Sequence, residues 1–325
     1  MIGLFARSGL CPPHAPIPSL AIVVTARRYA QIDVFTTRAG YGNPVAVVFD
    51  ADDLDTPAMQ RFAAWTNLSE TTFVLAPTSA QADFRLRIFT PRQELPFAGH
   101  PTVGTTYAVL DARADLAVRA ALTLECAAGL LPVRIEGGGA GRRIFVQSPR
   151  ARLEPPLSGL VEEFTAALGA TPNTDPAPRL IDVGPRWLIG EFADAAMVRA
   201  LQPDLARVAA LTTRCGDAVG IAVFGREHGG DAAIAVRAFC PADGIPEDPV
   251  TGSANAAIAA LLHSTGALAT IGFHYRASQG REIGRDGRVD IAVDRESGSI
   301  EIGGRCVSCI VGHLHFGEPS GERHA

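Results

Sequence analysis

The sequence predicts an α+β fold made of two similar halves with a cleft between them. The first observation is a duplicated segment, because residues 87–96 read RIFTPRQELP and residues 237–246 read RAFCPADGIP, with Arg, Phe and both prolines in one register. The second is that each copy joins a strand pattern of alternating apolar residues to a helix rich in small residues. Two copies of one unit favour two half-domains related by approximate two-fold symmetry.

The match continues into the helix that follows each strand. GHPTVGTTYAVL at 99–110 runs beside EDPVTGSANAAIAAL at 247–261, which aligns His100 with Asp248. A helix of small residues can lie close to a surrounding sheet, because no bulky side chain holds it away. A helix N-terminus carries unpaired N–H groups and a partial positive charge. Two such ends in one cleft predict a site for an anion, most simply a carboxylate.

Composition limits the partners that this chain is expected to have. The 325 residues are enough for two domains of ordinary size, and 47 % apolar with 19 % charged residues is typical of a folded globular protein. A net charge of -5 gives no reason to expect nucleic-acid binding, which usually needs a basic face. No stretch is long and apolar enough to predict a membrane span.

The chain contains no lysine, and this excludes several enzyme classes. Pyridoxal-phosphate enzymes and Schiff-base aldolases need a lysine amine, and P-loop proteins need the lysine of their phosphate loop. The glycine-rich segment 137–141 lacks the strand–turn–helix context of a dinucleotide site. Pyridoxal-phosphate enzymes, Schiff-base aldolases, P-loop proteins and dinucleotide-binding proteins are therefore not expected.

Six cysteines are scattered along the chain, a distribution that favours reduced thiols in a cytoplasmic protein. Cys306 and Cys309 form a C-x-x-C motif, and His313 and His315 follow. Four such groups can hold zinc. The segment alternates like a strand, however, and no second C-x-x-C accompanies it, so ordinary strand residues and no metal site are the preferred interpretation.

Three acid–base groups stand in turn-like contexts. Glu70 lies in TNLSETTFV, His100 in FAGHPT and Asp248 in IPEDPVTGS. A carboxylate and a histidine suit proton transfer, which needs a base near an acidic C–H and a second group to return the proton. Each residue also has a structural interpretation, namely a surface Glu, a buried structural His and an Asp helix cap. The duplication favours the catalytic interpretation for His100 and Asp248, and spacing alone does not place Glu70 beside them.

Five segments together resemble the phenazine-biosynthesis PhzF-like family. They are DVFTTRAGYGNPVAVV (33–48), NLSETTFV (67–74), RIFTPRQELPFAGHPTVGT (87–105), GIPEDPVTGSA (244–254) and SQGREIGR (278–285). The resemblance runs from about residue 28 to the C-terminus. It implies a diaminopimelate-epimerase-like fold, in which two half-domains each wrap a curved, mostly antiparallel sheet around a central helix.

The resemblance also implies how the chain is divided. Residues 1–27, which include four prolines, are expected to be a disordered N-terminal extension. The first half-domain is expected over 28–145 and the second over 146–305, with the C-terminal strand at about 306–325 returning to the first. Homodimers are usual in the family.

The function implied by the resemblance is a cofactor-independent isomerase of the dihydro-3-hydroxyanthranilate type, acting on a small carboxylate by acid–base proton transfer. The family's catalytic glutamate, histidine and aspartate match Glu70, His100 and Asp248. The residues expected to bind the substrate are Gly99, Gly252 and Ser253.

Two other functions stay open at this point. An amino-acid or hydroxy-acid racemase or epimerase of the same fold is one, although related racemases use two cysteines at the helix starts, where this chain has His100 and Asp248. A non-catalytic binding protein is the other, since fold alone does not give function. Asn255 stands where many PhzF-like proteins carry His, a difference linked to the choice of substrate.

Overall fold

The computed structural model describes residues 26–216 and 218–316, and the N-terminal extension expected at 1–27 lies outside them except for its last two residues. The first half of the chain contains the strands and helices β1 (Ala26–Val34), β2 (Asn43–Val48), α1 (Thr56–Thr66), β3 (Glu70–Leu75), β4 (Phe84–Phe89), β5 (Glu94–Leu95), α2 (Gly99–Ala112), α3 (Ala114–Ala117), β6 (Ala121–Cys126), β7 (Gly129–Glu136) and β8 (Arg143–Gln147).

The second half of the chain contains a corresponding set of elements. They are β9 (Arg152–Leu153), α4 (Leu160–Leu168), β10 (Arg179–Asp182), β11 (Arg186–Glu191), α5 (Ala195–Ala200), α6 (Leu205–Arg214), β12 (Gly220–Arg226), β13 (Ile234–Cys240), β14 (Ile245–Asp248), α7 (Gly252–Ser264), α8 (Leu268–Ile271), β15 (His274–Gln279), β16 (Gly287–Val293) and β17 (Ile300–Gly304). The last strand is β18 (Cys306–His315).

The two halves repeat one pairing pattern. In the first half, β1–β2 is antiparallel, β2–β3 parallel, β3–β4 antiparallel, β4–β6 parallel, and β6–β7 and β7–β8 antiparallel. The pairs β10–β11, β11–β12, β12–β13, β13–β15, β15–β16 and β16–β17 follow the same sequence of directions. The predicted α+β class with two similar half-domains is therefore confirmed.

The halves are joined through their sheets. Strands β8 and β17 pair antiparallel, so the two sheets are continuous. In the second half, β9 follows β8 and pairs with β10, while β18 follows β17 and pairs with β1 of the first half along its whole length. The first half therefore depends on the end of the chain for an outer strand.

One helix fills the centre of each half. Helix α2 packs against β1, β2, β3 and β8, and α7 packs against β10, β11, β16 and β17. Both are buried nearly all round, and five alanines between Ala254 and Ala260 allow α7 to approach its sheet. At Gly104 a Cβ would lie 2.5 Å from Val45 Cγ1, so this glycine sets the distance between α2 and β2.

The remaining helices cover the outer faces of the sheets. Helix α1 packs through Phe62 on Phe73, and α4 and α6 enclose a second apolar cluster that includes Phe164 and Phe192. Within residues 26–216 and 218–316, no helix has the length and hydropathy needed to span a membrane. The central helices, with their N-termini, are thus the innermost elements of the protein.

Candidate active site

The N-termini of α2 and α7 meet between the halves. A Cβ placed on Gly252 would lie 3.7 Å from the backbone nitrogen of His100, so the first turns of both helices border one space. The N-cap residues Ala98 and Thr251 provide no side-chain cap to their helices. A Cβ on Gly99 would meet no atom within 4 Å, which shows open space at this end of α2. Unpaired N–H groups at two helix ends favour an anion here.

Glu70 and His100 lie face to face at this space. Glu70 is the first residue of β3, and His100 lies in the first turn of α2. Glu70 Oε2 is 3.3 Å from His100 Nε2, and the side chains are 16 % and 8 % exposed. Neither atom has a hydrogen-bond partner among the described residues. Buried polar atoms are nearly always paired, so this orphaned pair indicates a site that a ligand completes.

Burial changes the proton affinity of both groups. Loss of solvent raises the pKa of Glu70 to about 7, against a smaller opposing effect of a hydrogen bond with Ser69. Burial also lowers the pKa of His100 to about 4, although the nearby charge of Asp248 and a hydrogen bond with the Pro44 carbonyl act in the other direction. Glu70 can therefore gain or lose a proton near pH 7, while His100 stays neutral.

Asp248 approaches from the other half. It ends β14, four residues before α7 begins, so it is not the helix cap, which is Thr251. Its Oδ1 accepts from Asn43 Nδ2 at 3.0 Å and its Oδ2 from Thr251 Oγ1 at 2.5 Å. Burial raises the pKa of Asp248 to about 6, and His100 and Thr251 oppose this rise. Asp248 is thus the carboxylate that is more readily ionised at neutral pH.

Ser253 and Asn255 belong to the first turn of α7 and differ in their surroundings. Ser253 Oγ accepts a hydrogen bond of 3.1 Å from Trp187 Nε1, which fixes the hydroxyl at the helix start. Asn255 is fully buried, and its Nδ2 donates to Thr251 O at 2.8 Å and to Gln279 Oε1 at 3.2 Å. Asn255 therefore supports the loop before α7 through its hydrogen bonds to Thr251 and Gln279.

The thiols do not form a matching pair at the two helix starts. Cys240 is buried at the end of β13, where burial and the nearby charges of Asp248, Asp243 and Glu70 raise the pKa of its thiol. Helix α2 carries no cysteine. Burial also raises the pKa of Cys306, and the C-x-x-C partner Cys309 is exposed. Within the described part of the chain, no three His, Cys, Asp or Glu side chains are grouped as metal ligands.

Four residues of the site were not predicted from the sequence. Asn43 and Thr251 bind Asp248, Gln279 supports Thr251, and Trp187 binds Ser253. Three of them lie inside the segments that carry the family resemblance, and this is the signal by which they could have been found. Trp187 lies outside those segments, in a strand where an aromatic residue is expected to belong to the core.

The chain is similar in sequence to known proteins of one family. The sequence model of the phenazine biosynthesis-like protein family, PhzC-PhzF, matches residues 32–312. The chain belongs to this family. The PhzF-like chain is 38 % identical over 266 residues to trans-2,3-dihydro-3-hydroxyanthranilate isomerase of Pseudomonas aeruginosa, an alignment that covers 81 % of this chain and 88 % of the relative. It is also 37 % identical to antisense-enhancing sequence 1 of Schizosaccharomyces pombe, with 89 % of this chain and 99 % of the relative covered.

Solved structures of a PhzF-family protein and of an epimerase share the fold of this chain. A Bacillus anthracis protein of the PhzF family superposes with a TM-score of 0.77 at 28 % identity, covering 89 % of this chain and 99 % of that one. A hydroxyproline epimerase from Agrobacterium vitis superposes with a TM-score of 0.58 at 13 % identity, with 89 % of this chain and 91 % of that chain covered, and so shares the fold. The chain is a PhzF-like isomerase, as the resemblance predicted.

Proposed function

We propose that Glu70 carries the proton in an isomerisation of a small carboxylate, with His100 and Asp248 as its partners. The orphaned pair of Glu70 Oε2 and His100 Nε2, 3.3 Å apart, is the observation that supports this most strongly. A base with a pKa near the working pH transfers protons in both directions efficiently. Glu70, with a pKa of about 7, meets this condition.

The proton moves in two steps in this proposal. Ionised Glu70 takes a proton from an activated carbon of the substrate and then returns it to a different carbon, so that a double bond shifts without net gain or loss of atoms. The His100 imidazole bonds the Pro44 carbonyl, which leaves Nε2 as the acceptor that orients the protonated Glu70 carboxyl. His100 and Asp248 help to orient the substrate, and the N–H groups of the two helix N-termini stabilise the delocalised anion that forms between the steps.

The substrate's carboxylate binds at the helix N-termini. The backbone N–H groups at Gly99 and Gly252 and the hydroxyl of Ser253 are the donors that we assign to it. Trp187 Nε1 donates to Ser253 Oγ, which leaves the Ser253 hydroxyl proton free to point at a carboxylate. Because a relative is named for trans-2,3-dihydro-3-hydroxyanthranilate, this compound is the first substrate that we would supply.

The same proposal covers assembly and location. We infer a homodimer in the cytoplasm that needs no cofactor, metal, nucleic acid or membrane, in keeping with the net charge of -5 and the scattered cysteines. Light scattering of the purified chain at about twice the mass of 34.1 kDa would agree with the dimer, and a mass of one chain would contradict it.

An assay of the Glu70→Gln variant tests the proposed function. Gln keeps the shape and one acceptor but cannot carry the proton, so we expect no detectable isomerisation with binding of a substrate-like acid retained. Glu191→Gln is the matched control, because burial also raises the pKa of Glu191. Glu191 is the last residue of β11, whereas Trp187 lies near the start of that strand. Full activity of Glu70→Gln would overturn the assignment, and binding without turnover by the unaltered protein would favour a non-catalytic role.

A further inference from the structure

A series of hydrogen bonds leads to Asp248, and in each of them the donor lies on the side away from the Asp248 carboxylate. Asn255 Nδ2 donates to Gln279 Oε1 at 3.2 Å, and Gln279 Nε2 donates to Thr251 Oγ1 at 2.9 Å. Thr251 Oγ1 then donates to Asp248 Oδ2. A hydroxyl has one proton, and because its oxygen already accepts from the amide, that proton is left for Asp248.

The hydrogen bonds of Gln279 fix the orientation of its side-chain amide, so the donor and acceptor roles in this series cannot be exchanged. Its Oε1 also accepts from Thr251 N at 3.0 Å, and its Nε2 also donates to Asp248 O at 3.0 Å. The side chain is fully buried, so water cannot replace these partners. With Oε1 held by two donors and Nε2 by two acceptors, the amide has a single orientation.

Asn43, in the other half of the protein, provides a second side-chain donor to Asp248. It lies at the start of β2, and its Nδ2 donates both to Asp248 Oδ1 at 3.0 Å and to Val250 O at 2.9 Å. Its Oδ1 accepts from Ser69 Oγ at 3.5 Å, and Ser69 directly precedes Glu70 in the chain. One fully buried amide therefore links the residue before Glu70 with Asp248.

We propose that Gln279, Thr251 and Asn43 are positioning residues that hold Asp248 as an acceptor-only carboxylate, so that Asp248 stays charged while Glu70 alone carries the proton. Both carboxylate oxygens of Asp248 are filled by donors, whereas Glu70 Oε2 has no partner among the described residues. The difference in donors separates the roles of two carboxyls that are both buried beside His100. This inference rests on the proposed function.

A test of this proposal must separate the effect of the donors to Asp248 from that of the titratable groups that face it. They are His100 on α2, Glu70 on β3 and the neutral thiol of Cys240 on β13. None of them is altered in the variants below. A change in the acid limb of the pH profile therefore reports on the donors to Asp248.

The test is the pH profile of kcat/KM for isomerisation by Thr251→Val, Thr251→Ser and Asn43→Asp. Removing one donor destabilises the ionised form of Asp248, so Thr251→Val is expected to raise the pKa of Asp248 by about one to two pH units. Because Glu70, with a pKa of about 7, already sets the acid limb, the midpoint of the limb is expected to move upward by about 0.3 to 1 pH unit. Thr251→Ser keeps the hydroxyl and is expected to keep the limb in place. Asn43→Asp puts a second carboxylate against Asp248 and is expected to move the midpoint upward by about 0.3 to 2 pH units.

The controls separate this inference from the proposed function. Gln60→Glu makes an amide-to-acid change at a half-buried position on α1, where Nε2 donates to Thr90 O, and is expected to leave the limb unmoved. An unmoved limb in both Thr251→Val and Asn43→Asp would overturn the positioning roles even if Glu70→Gln is inactive. Turnover by Glu70→Gln would instead overturn the proposed function. Should Asn43→Asp not fold, the Thr251 pair decides the question alone.

Discussion

Glu70 Oε2 and His100 Nε2 lie 3.3 Å apart at the meeting point of two helix N-termini, and neither is satisfied by the described part of the protein. One residue comes from the start of a strand and the other from the first turn of the central helix of the same half. The opposite half supplies Asp248 and the start of α7. The site therefore exists only when the two halves are assembled as observed.

The first prediction concerns the pH dependence of activity. Glu70 with a pKa of about 7 and Asp248 with a pKa of about 6 must both be ionised, so kcat/KM is expected to rise from about pH 5 to 8 and then level off. His100 is neutral over this range, because its pKa is lowered to about 4. A profile that falls between pH 6 and 8 would mean that Glu70 acts first as an acid.

The second prediction concerns stability. Because the pKa of Glu70 is raised in the folded protein, its ionised form destabilises the fold, and this cost grows as pH rises from 4.5 to about 7. Glu70→Gln is therefore expected to raise the free energy of unfolding by about 3 kcal/mol at pH 8 and to leave it nearly unchanged at pH 4. Urea unfolding at the two pH values measures this, and an equal effect at both would contradict the assigned burial.

The third prediction contrasts two glycines that the duplication aligns. A Cβ at Gly104 would lie 2.5 Å from Val45 and 2.7 Å from Val34, so Gly104→Ala is expected to lower the free energy of unfolding. The expected loss is about 1–3 kcal/mol from overpacking. At Gly252 the contacts would be ordinary, the nearest being 3.5 Å to Ile302, so Gly252→Ala should fold normally.

Substitution at Gly252 is also expected to weaken substrate binding. An added methyl at Gly252 would stand beside the backbone nitrogen of His100, where we propose that the carboxylate binds. Gly252→Ala is therefore expected to raise KM roughly tenfold, the effect of losing about one hydrogen bond. An unchanged KM with an unchanged Tm would place the substrate carboxylate elsewhere.

The fourth prediction separates proton transfer by Glu70 from a two-thiol racemase. Burial raises the thiol pKa values of Cys240, Cys306 and Cys309, but of these three only Cys309 is exposed to a reagent. Alkylation of the native protein at pH 7.5 is expected to label Cys309 and to leave turnover unchanged. Mass spectrometry locates the label. Loss of activity in step with modification of Cys240 would return a thiol to the mechanism.

The sequence was sufficient to predict those parts of the fold in which local pattern and packing agree. The sequence pattern predicts a helix over 56–66, and the observed helix α1, which has a Pro in its first turn after an Asp cap, has these bounds. The sequence pattern does not predict strand β15, because HYRASQ contains only two apolar residues and no β-branched residue. It is a strand because it pairs with β13 and β16, a tertiary effect that no local signal carries.

The site was predictable in its chemistry and less so in its geometry. The aligned positions of His100 and Asp248 suggested equivalent helix starts, but His100 lies inside α2 while Asp248 precedes α7 by four residues. Gln279 ends β15, so its role behind Asp248 could not be derived from periodicity. Hydrogen bonds between the two halves, such as Asn43 to Asp248, depend on the assembled fold.

Solvent exchange at carbon measures directly whether Glu70 carries the proton. The protein, Glu70→Gln and Glu191→Gln would each be incubated in deuterated water with trans-2,3-dihydro-3-hydroxyanthranilate and a panel of small unsaturated acids, with NMR following the carbon-bound protons. We expect deuterium uptake or isomerisation with the unaltered protein and with Glu191→Gln, and neither with Glu70→Gln. Equal uptake with Glu70→Gln would contradict the account.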